Sequence, residues 1–156
     1  MHVALIQVAA GLDKAENLRS VHALVSEAAH SGPDLVVLPE AVMHDFGPTD
    51  TDLAAVAEPL DGPFVSALAA LAKENATAIV AGMFEATEAL PYNTLVALDA
   101  EGDLTAAYRK VHLYDSFGYR ESDRLTPGPL EVVTVDVAEA RIGLMADLFA
   151  RASADE

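Results

Sequence analysis

Glu40 is the first residue of this sequence whose position favours chemistry. It follows the apolar run 35–38 directly after Pro39, which ends a predicted strand and fixes the direction in which the backbone leaves it. In α/β proteins, functional side chains commonly lie in the loops at the ends of strands. A carboxylate there can act as a general base, although most surface acids are only solvated.

A lysine and a second glutamate follow later in the chain, eleven residues apart. Lys110 stands where a predicted strand enters the 20-residue loop 110–129, and Glu121 lies within that loop. A lysine near a carboxylate can stabilise an oxyanion or take part in proton transfer, and Glu121 could orient Lys110. Long loops in compact domains are more often functional than connecting. Taken singly, both residues are better explained as solvated surface charges.

The composition is that of a globular protein of one domain. The chain has 156 residues, of which 52% are hydrophobic and 22% are charged. Its 25 acidic residues against 9 basic ones give a net charge of −16, which disfavours nucleic acid and anionic membranes as partners. The sequence has no apolar run of about 18 residues that could span a membrane. Its N-terminus lacks the basic residues of a signal peptide, so we expect a cytoplasmic location.

The sequence predicts no cofactor and no metal site. Its five histidines are scattered without the spacing of metal ligands, and its glycines are too dispersed to form a loop that cradles phosphate. The chain also contains no cysteine. That absence excludes disulfides, thiolate metal sites and catalysis by a thiol of this chain.

The apolar pattern of the first half predicts alternating strands and helices. We expect three strands, at 3–8, 35–38 and 77–84, and two helices, at 17–30 and 64–75. The segment 41–62 is rich in Gly and Pro and predicts a loop with at most one short helix. This order favours a parallel or mixed sheet covered by helices.

The second half of the chain is predicted to consist mostly of strands. Residues 92–99 and 104–109 flank a turn and predict a hairpin. Residues 130–137 and 141–145 predict a second strand pair, and the tail 146–156 could form a short helix. Together with the first half, this order indicates the α/β class.

Several short strings of this sequence occur in the order seen in the carbon–nitrogen hydrolase family, the superfamily of nitrilases and aliphatic amidases. They are LPE at 38–40, YRKVHLYD at 108–115, YRES at 119–122, TPG at 126–128 and RIGLM at 141–145. The runs VALIQV and YNTLVALDAEG are also similar to the family. Each string is weak alone, but their common order makes residues 3–145 resemble this family over nearly the whole chain.

This resemblance implies both a fold and a mechanism. The family fold is a four-layer α–β–β–α sandwich, usually dimeric or larger, and its members cleave small amides or nitriles. By matching position, we expect Glu40 to be the general base, Lys110 to stabilise the tetrahedral oxyanion, and Glu121 to position the lysine and the substrate. The nucleophile of this Glu–Lys–Cys triad is a cysteine, which forms a thioester with the substrate.

The sequence departs from the family pattern just after Met145. There the family continues with a short residue and the nucleophile, in a string like TCYDLRFPE, whereas this chain continues with Ala146, Asp147 and Leu148. If Asp147 and Leu148 match the DL of that string, the cysteine has been deleted. A carboxylate such as Asp147 is a poor nucleophile toward an amide, and a small misplacement costs a large factor in rate. We therefore expect an inactive hydrolase.

The resemblance also predicts one partial domain, 1–156, with a family-like region at 3–145 and a divergent tail at 146–156. We expect an incomplete α–β–β–α sandwich of the nitrilase type, with helices packed on mixed sheets. Such a fragment exposes apolar faces and sheet edges, so it should form a homo-oligomer or pair with a homologue. A truncated or frame-shifted gene and a degenerate paralogue explain the departure equally well.

Two functions follow from these patterns. The first is a hydrolase of non-peptide carbon–nitrogen bonds, in small amides or nitriles, which lacks its nucleophile in this chain. The alternative is a non-catalytic module that still binds an amide or a carboxylate between Glu40 and Lys110, or that pairs with an active homologue.

Overall fold

A five-stranded mixed sheet lies at the centre of the computed structural model, which describes residues 1–146. The strands follow chain order across the sheet: β1 (Val3–Leu5), β2 (Leu35–Val37), β3 (Ala78–Glu85), β4 (Tyr92–Leu98) and β5 (Leu104–Arg109). The first three strands are parallel, whereas β3, β4 and β5 are antiparallel neighbours. The predicted α/β class with a mixed sheet is confirmed.

Helices connect the parallel strands, because parallel neighbours need a crossover connection. α1 (Lys14–Ala29) links β1 to β2, and α2 (Leu53–Val56) and α3 (Pro63–Asn75) lie between β2 and β3. The Asp13 carboxylate caps α1 by accepting two backbone N–H groups of its first turn. The helix therefore begins at Lys14, earlier than the predicted residue 17. No helix within residues 1–146 has the length and apolar character needed to cross a bilayer.

The loop after β5 contains small elements of its own. β6 (Asp115–Ser116) and β7 (Tyr119–Arg120) form a short hairpin, and one turn of 3₁₀ helix covers Glu121–Asp123. β8 (Thr134–Val137) and β9 (Ala140–Gly143) form the second predicted strand pair, with narrower bounds than expected. The predicted 20-residue loop thus contains a hairpin and a helical turn.

Two further boundaries differ from the sequence prediction. The first strand ends at Leu5 instead of residue 8, and beyond it only the N–H of Ile6 continues the ladder, to the carbonyl of Val37 at 2.9 Å. The helix predicted for the tail lies, apart from Ala146, outside the described residues, and Ala146 itself is in neither a helix nor a strand.

Apolar side chains cover both faces of the central sheet. On one face, α1 and α3 supply the helix layer, and their residues form one core with those of the strands, including Val21, Leu68 and Ile79. On the other face, Leu95 and its sheet neighbours pack with apolar residues of the β8–β9 hairpin, including Val135. The second face of the sheet is thus covered by a two-stranded ribbon within the described residues.

Gly82 in β3 lets the segment after β2 pass very close to the sheet. A Cβ at Gly82 would clash with the backbone N of Ala41 and lie 2.7 Å from the Cα of Glu40. Gly82 also donates its N–H to the carbonyl of Pro39 at 3.2 Å and accepts the N–H of Met43 at 3.3 Å. Ala41 takes a left-handed conformation, with φ 53°. The backbone that carries Glu40 is therefore attached directly to β3.

We expect Gly82→Ala to lower the free energy of unfolding by about 1–3 kcal/mol, because overpacking against backbone cannot be relieved by turning a side chain. Urea unfolding followed by circular dichroism measures this loss. Gly143→Ala is the matched control, since a Cβ at Gly143 would meet nothing within 4 Å. Equally small changes in the two variants would contradict the close approach at Gly82.

Candidate active site

Lys110 directly follows β5, and its side chain is almost fully buried, with 2% exposed. Its Nζ lies 3.1 Å from Glu40 Oε1 and 3.1 Å from Glu121 Oε2. Nζ also donates to Glu121 Oε1 at 3.2 Å. The structure thus brings together the three residues that the sequence singled out, although Glu40 is 70 positions and Glu121 11 positions away from Lys110.

The backbone of Lys110 is held on both sides. Its N–H donates to the carbonyl of Asn93 in β4 at 2.8 Å, and its carbonyl accepts the N–H of Gly128 at 2.8 Å. A Cβ at Gly128 would clash with the carbonyl of Arg109, whose carbon would lie 2.7 Å away. Only glycine therefore allows the chain at 128 to lie against the end of β5, which explains the glycine of the string TPG.

The two carboxylates of the site are held in different ways. The Glu121 side chain is 7% exposed, and its Oε2 accepts the N–H of Tyr114 at 2.9 Å in addition to the ion pair with Lys110. The Glu40 side chain is 33% exposed, and only its Oε1 accepts hydrogen bonds within residues 1–146. Glu121 is thus buried with both oxygens engaged, whereas Glu40 is partly exposed and its Oε2 makes no hydrogen bond within residues 1–146.

Burial and charge act on Lys110 in opposite directions. Burial disfavours the charged ammonium and lowers its pKa, but the negative charges of Glu40 and Glu121, with the hydrogen bonds they accept, outweigh burial. The pKa of Lys110 is therefore held above its ordinary value, and the side chain stays protonated at neutral pH. A permanent buried cation of this kind is suited to stabilising a developing oxyanion.

Asn93 is a residue of the site that the sequence analysis missed. The residue is buried, with 1% of its surface exposed, and its Nδ2 donates to Glu40 Oε1 at 2.6 Å. Its backbone carbonyl accepts the N–H of Lys110. Asn93 therefore touches both the candidate base and the candidate oxyanion-binding residue. Its only sequence signal is its place in the run YNTLVALDAEG, which resembles the family but does not mark Asn93 as a site residue.

Arg124, also missed, joins the two loops that flank the site. Its guanidinium donates to the carbonyls of Phe46 and Thr51 in the loop after β2, the latter at 3.1 Å, and to the Tyr119 hydroxyl at 3.1 Å. The loop that carries Glu40 is thereby tied to the hairpin that precedes Glu121. No local pattern around Arg124 indicates this role.

Arg109, the cation next to Lys110 in sequence, is engaged elsewhere. It makes two hydrogen bonds to the Glu85 carboxylate, at 2.8 and 2.6 Å, and its guanidinium lies 4.8 Å from the centre of the Tyr92 ring. The hydrogen bond to Glu85 raises the pKa of Arg109 above its ordinary value, against a smaller opposing effect of burial. This ion pair holds β3 to β5 across β4. Because Arg109 is paired with Glu85, Lys110 is the cation that Glu40 and Glu121 share.

Comparison with known proteins identifies the family. A model of the family described as carbon-nitrogen hydrolase matches residues 2–146. The chain belongs to the carbon–nitrogen hydrolase family. The resemblance expected from the sequence strings is therefore confirmed, and it extends to the last described residue.

Two relatives show how far this carbon–nitrogen hydrolase chain extends. A hydrolase of Mycobacterium tuberculosis is 42% identical over 147 residues, which cover 92% of this chain and 51% of that protein. An omega-amidase of Mus musculus is 32% identical over 148 residues, which cover 91% of this chain and 52% of the relative. The chain thus spans about half the length of these relatives.

A solved structure confirms the nitrilase-type fold. A CN-hydrolase superfamily protein from Xanthomonas campestris, with an arsenic adduct in its active site, superposes with a TM-score of 0.79 at 29% identity. The superposition covers 92% of this chain and 51% of that one. The predicted division into a family-like region and a divergent tail stays a prediction.

The segment where the sequence analysis placed the missing nucleophile lies at the end of the described residues. Leu144 packs into the core, and Met145 is 69% exposed. Asp147, considered as a replacement for the thiol, lies outside the described residues. Residues 1–146 contain no cluster of three or more side chains that could hold a metal ion.

We expect Glu40→Gln to lower the pKa of Lys110, because it removes one of the two negative charges that stabilise the ammonium. An NMR titration of the chain with ¹³C-labelled lysine measures this pKa. Glu88→Gln is the matched control, since Glu88 is exposed and makes no ion pair with Lys110. The same pKa in wild type and Glu40→Gln would contradict the Glu40–Lys110 ion pair.

Proposed function

We propose that this chain carries the amide- or nitrile-binding acid–base site of a carbon–nitrogen hydrolase and does not itself hydrolyse the bound molecule. The observation that carries the proposal is the buried Lys110 ammonium, held 3.1 Å from both Glu40 and Glu121. The absence of cysteine from all 156 residues supports the inactivity. Similarity to an omega-amidase supports an amide as the ligand.

The reaction implied by the family begins with a thiol. Glu40 would accept the thiol proton as sulfur bonds to the carbonyl carbon, and Lys110 would stabilise the negative oxygen. The C–N bond would then break, and ammonia or an amine would leave with that proton. Water would hydrolyse the thioester to the acid and restore the thiol. This chain contains no cysteine and therefore no thiol, so the first bond does not form.

A neutral amide has the groups that the retained site can bind. Its carbonyl oxygen can accept from Lys110, whose ammonium has three N–H donors. Its N–H groups can donate to Glu40, whose Oε2 makes no hydrogen bond within the described residues. Both contacts are charge-assisted and are therefore stronger than hydrogen bonds between neutral groups.

We expect the purified chain to bind short aliphatic amides and to release no ammonia from them. Ligand-observed NMR measures binding, and a coupled ammonia assay measures turnover of amides, ω-amides and nitriles. Loss of the charged acceptor in Glu40→Gln should weaken binding by about tenfold or more, while Glu88→Gln should not.

Two results would contradict this proposal. Absence of amide binding by the wild-type chain would contradict a binding site. Turnover that survives iodoacetamide, which inactivates any contaminating cysteine hydrolase, and that disappears in Glu40→Gln would contradict the inactivity.

A second candidate function is assembly with another copy of this chain, and an exposed apolar patch favours it. The patch consists of Leu130, Val132 and Met145, which are 88%, 90% and 69% exposed. Leu130 and Val132 follow Gly128 by two and four residues. The N–H of Gly128 donates to the backbone carbonyl of Lys110, so the patch begins close in sequence to a residue that contacts the site. Exposed contiguous apolar groups commonly mark interaction surfaces.

The strand register explains why these side chains face outward. Thr134 pairs with Gly143, and the N–H of Leu144 donates to the carbonyl of Val133 at 2.9 Å. The alternation of strand residues continues just past the ends of β8 and β9: Val133 and Leu144 pack on the sheet, whereas Val132 and Met145 are exposed. The outer side of the ribbon is therefore apolar at this end.

We expect the wild-type chain to form a dimer or a larger oligomer and Val132→Lys to shift it toward monomer, because a charge would be buried at the contact. Size-exclusion chromatography with light scattering measures the mass across a range of concentrations. Leu12→Lys, at an exposed apolar residue outside this patch, is the matched control. A wild-type monomer at every concentration would contradict self-assembly, even if the chain bound a cysteine-bearing homologue.

A further inference from the structure

We infer that Asn93 is a positioning residue that decides which oxygen of Glu40 is available to a ligand or to a proton. This inference rests on the proposed function of the Glu40–Lys110–Glu121 site. Asn93 lies in β4 and donates from Nδ2 to Glu40 Oε1 at 2.6 Å. Its own carbonyl holds the N–H of Lys110 at 2.8 Å. One residue thus sets the position of both an acid–base group and a cation.

The hydrogen bonds of Glu40 are all made by one oxygen. Oε1 accepts from Asn93 Nδ2 at 2.6 Å and from Lys110 Nζ at 3.1 Å. A carboxylate oxygen has about two lone-pair directions, so these donors occupy Oε1. A ligand N–H, or a thiol proton in a complete enzyme, must therefore go to Oε2. Without Asn93, the carboxylate could turn and exchange its two oxygens.

The other end of the Asn93 side chain shows that the amide is held by Glu40. Oδ1 is buried and makes no hydrogen bond with residues 1–146. A buried acceptor without a partner costs free energy, and an arrangement selected only for packing would avoid it. Reversing the amide would place Oδ1 against Glu40 Oε1, where two acceptors repel. The contact with Glu40 therefore determines the orientation of the amide.

An asparagine meets the electrostatic needs of this position. It donates to Glu40 without adding charge beside Lys110, which already faces two carboxylates. An aspartate of the same shape would add a third carboxylate and remove the donor. A lysine or arginine would add a second cation that competes with Lys110 for Glu40. The neutral amide fixes Glu40 and leaves the ion pairs unchanged.

The test compares Asn93→Asp with the wild-type chain by two measurements. Amide binding, followed by ligand-observed NMR with propionamide, should weaken by about tenfold or more because Glu40 loses its fixed orientation. The pKa of Lys110, measured with ¹³C-labelled lysine, should rise further because a third negative charge lies near the ammonium. Asn75→Asp, which adds the same charge at the end of α3, is the matched control.

A double variant separates the hydrogen bond from the stability of the fold. In Asn93→Asp with Glu40→Gln, the introduced glutamine can donate to the introduced aspartate, so the bond re-forms with reversed direction and the site keeps its net charge. We expect the melting temperature and the pKa of Lys110 to return toward wild type. We expect amide binding to stay weak, because the charged acceptor is gone.

Several outcomes would overturn the role of Asn93. Unchanged amide binding and an unchanged Lys110 pKa in Asn93→Asp would overturn it. An equal loss of amide binding in Asn75→Asp would overturn it as well. A wild-type chain that binds no amide would instead overturn the proposed function. In that case the NMR signals of the Asn93 side-chain amide still test its hydrogen bond to Glu40. We expect these signals to shift in Glu40→Gln without ligand. Signals that do not shift would overturn the contact.

Discussion

The ammonium of Lys110 can be buried only because negative charge lies beside it. An isolated charge in a protein interior is very costly, and the Lys110 side chain is only 2% exposed. Glu40 and Glu121 supply the compensating charge from two separate loops, after β2 and after β5. The same ion cluster therefore holds both loops on the sheet, since the departure of either would leave an uncompensated charge.

Much of the fold could be predicted because its elements bury whole runs or regular stripes of apolar residues. β3, in which all eight residues are buried, shows as a continuous apolar run, and α3 as apolar residues at helical spacing. The start of α1 was missed because its first residues precede the apolar stripe and depend on the cap of Asp13. The hairpin of β6 and β7 was missed because two-residue strands are too short to show a period.

The candidate site was predictable only in part. Glu40, Lys110 and Glu121 were found through strings shared with a family, since each residue type alone is typical of a solvated surface charge; their catalytic roles stay predictions. Asn93 and Arg124 escaped notice because their roles depend on hydrogen bonds between positions 53 and 78 residues apart. A single polar residue in a strand or loop has no periodic signal, so only the folded chain shows these contacts.

The crossing at Gly82 has a consequence for how this scaffold can evolve. There the main chain that carries Glu40 rests on the main chain of β3, so backbone contacts hold its position in addition to the ion cluster. Residues on nearby walls can therefore change size and polarity over many generations without moving the Cα of this carboxylate. A scaffold of this kind can come to bind new ligands through substitutions around the site while the Glu40 carboxylate stays in place.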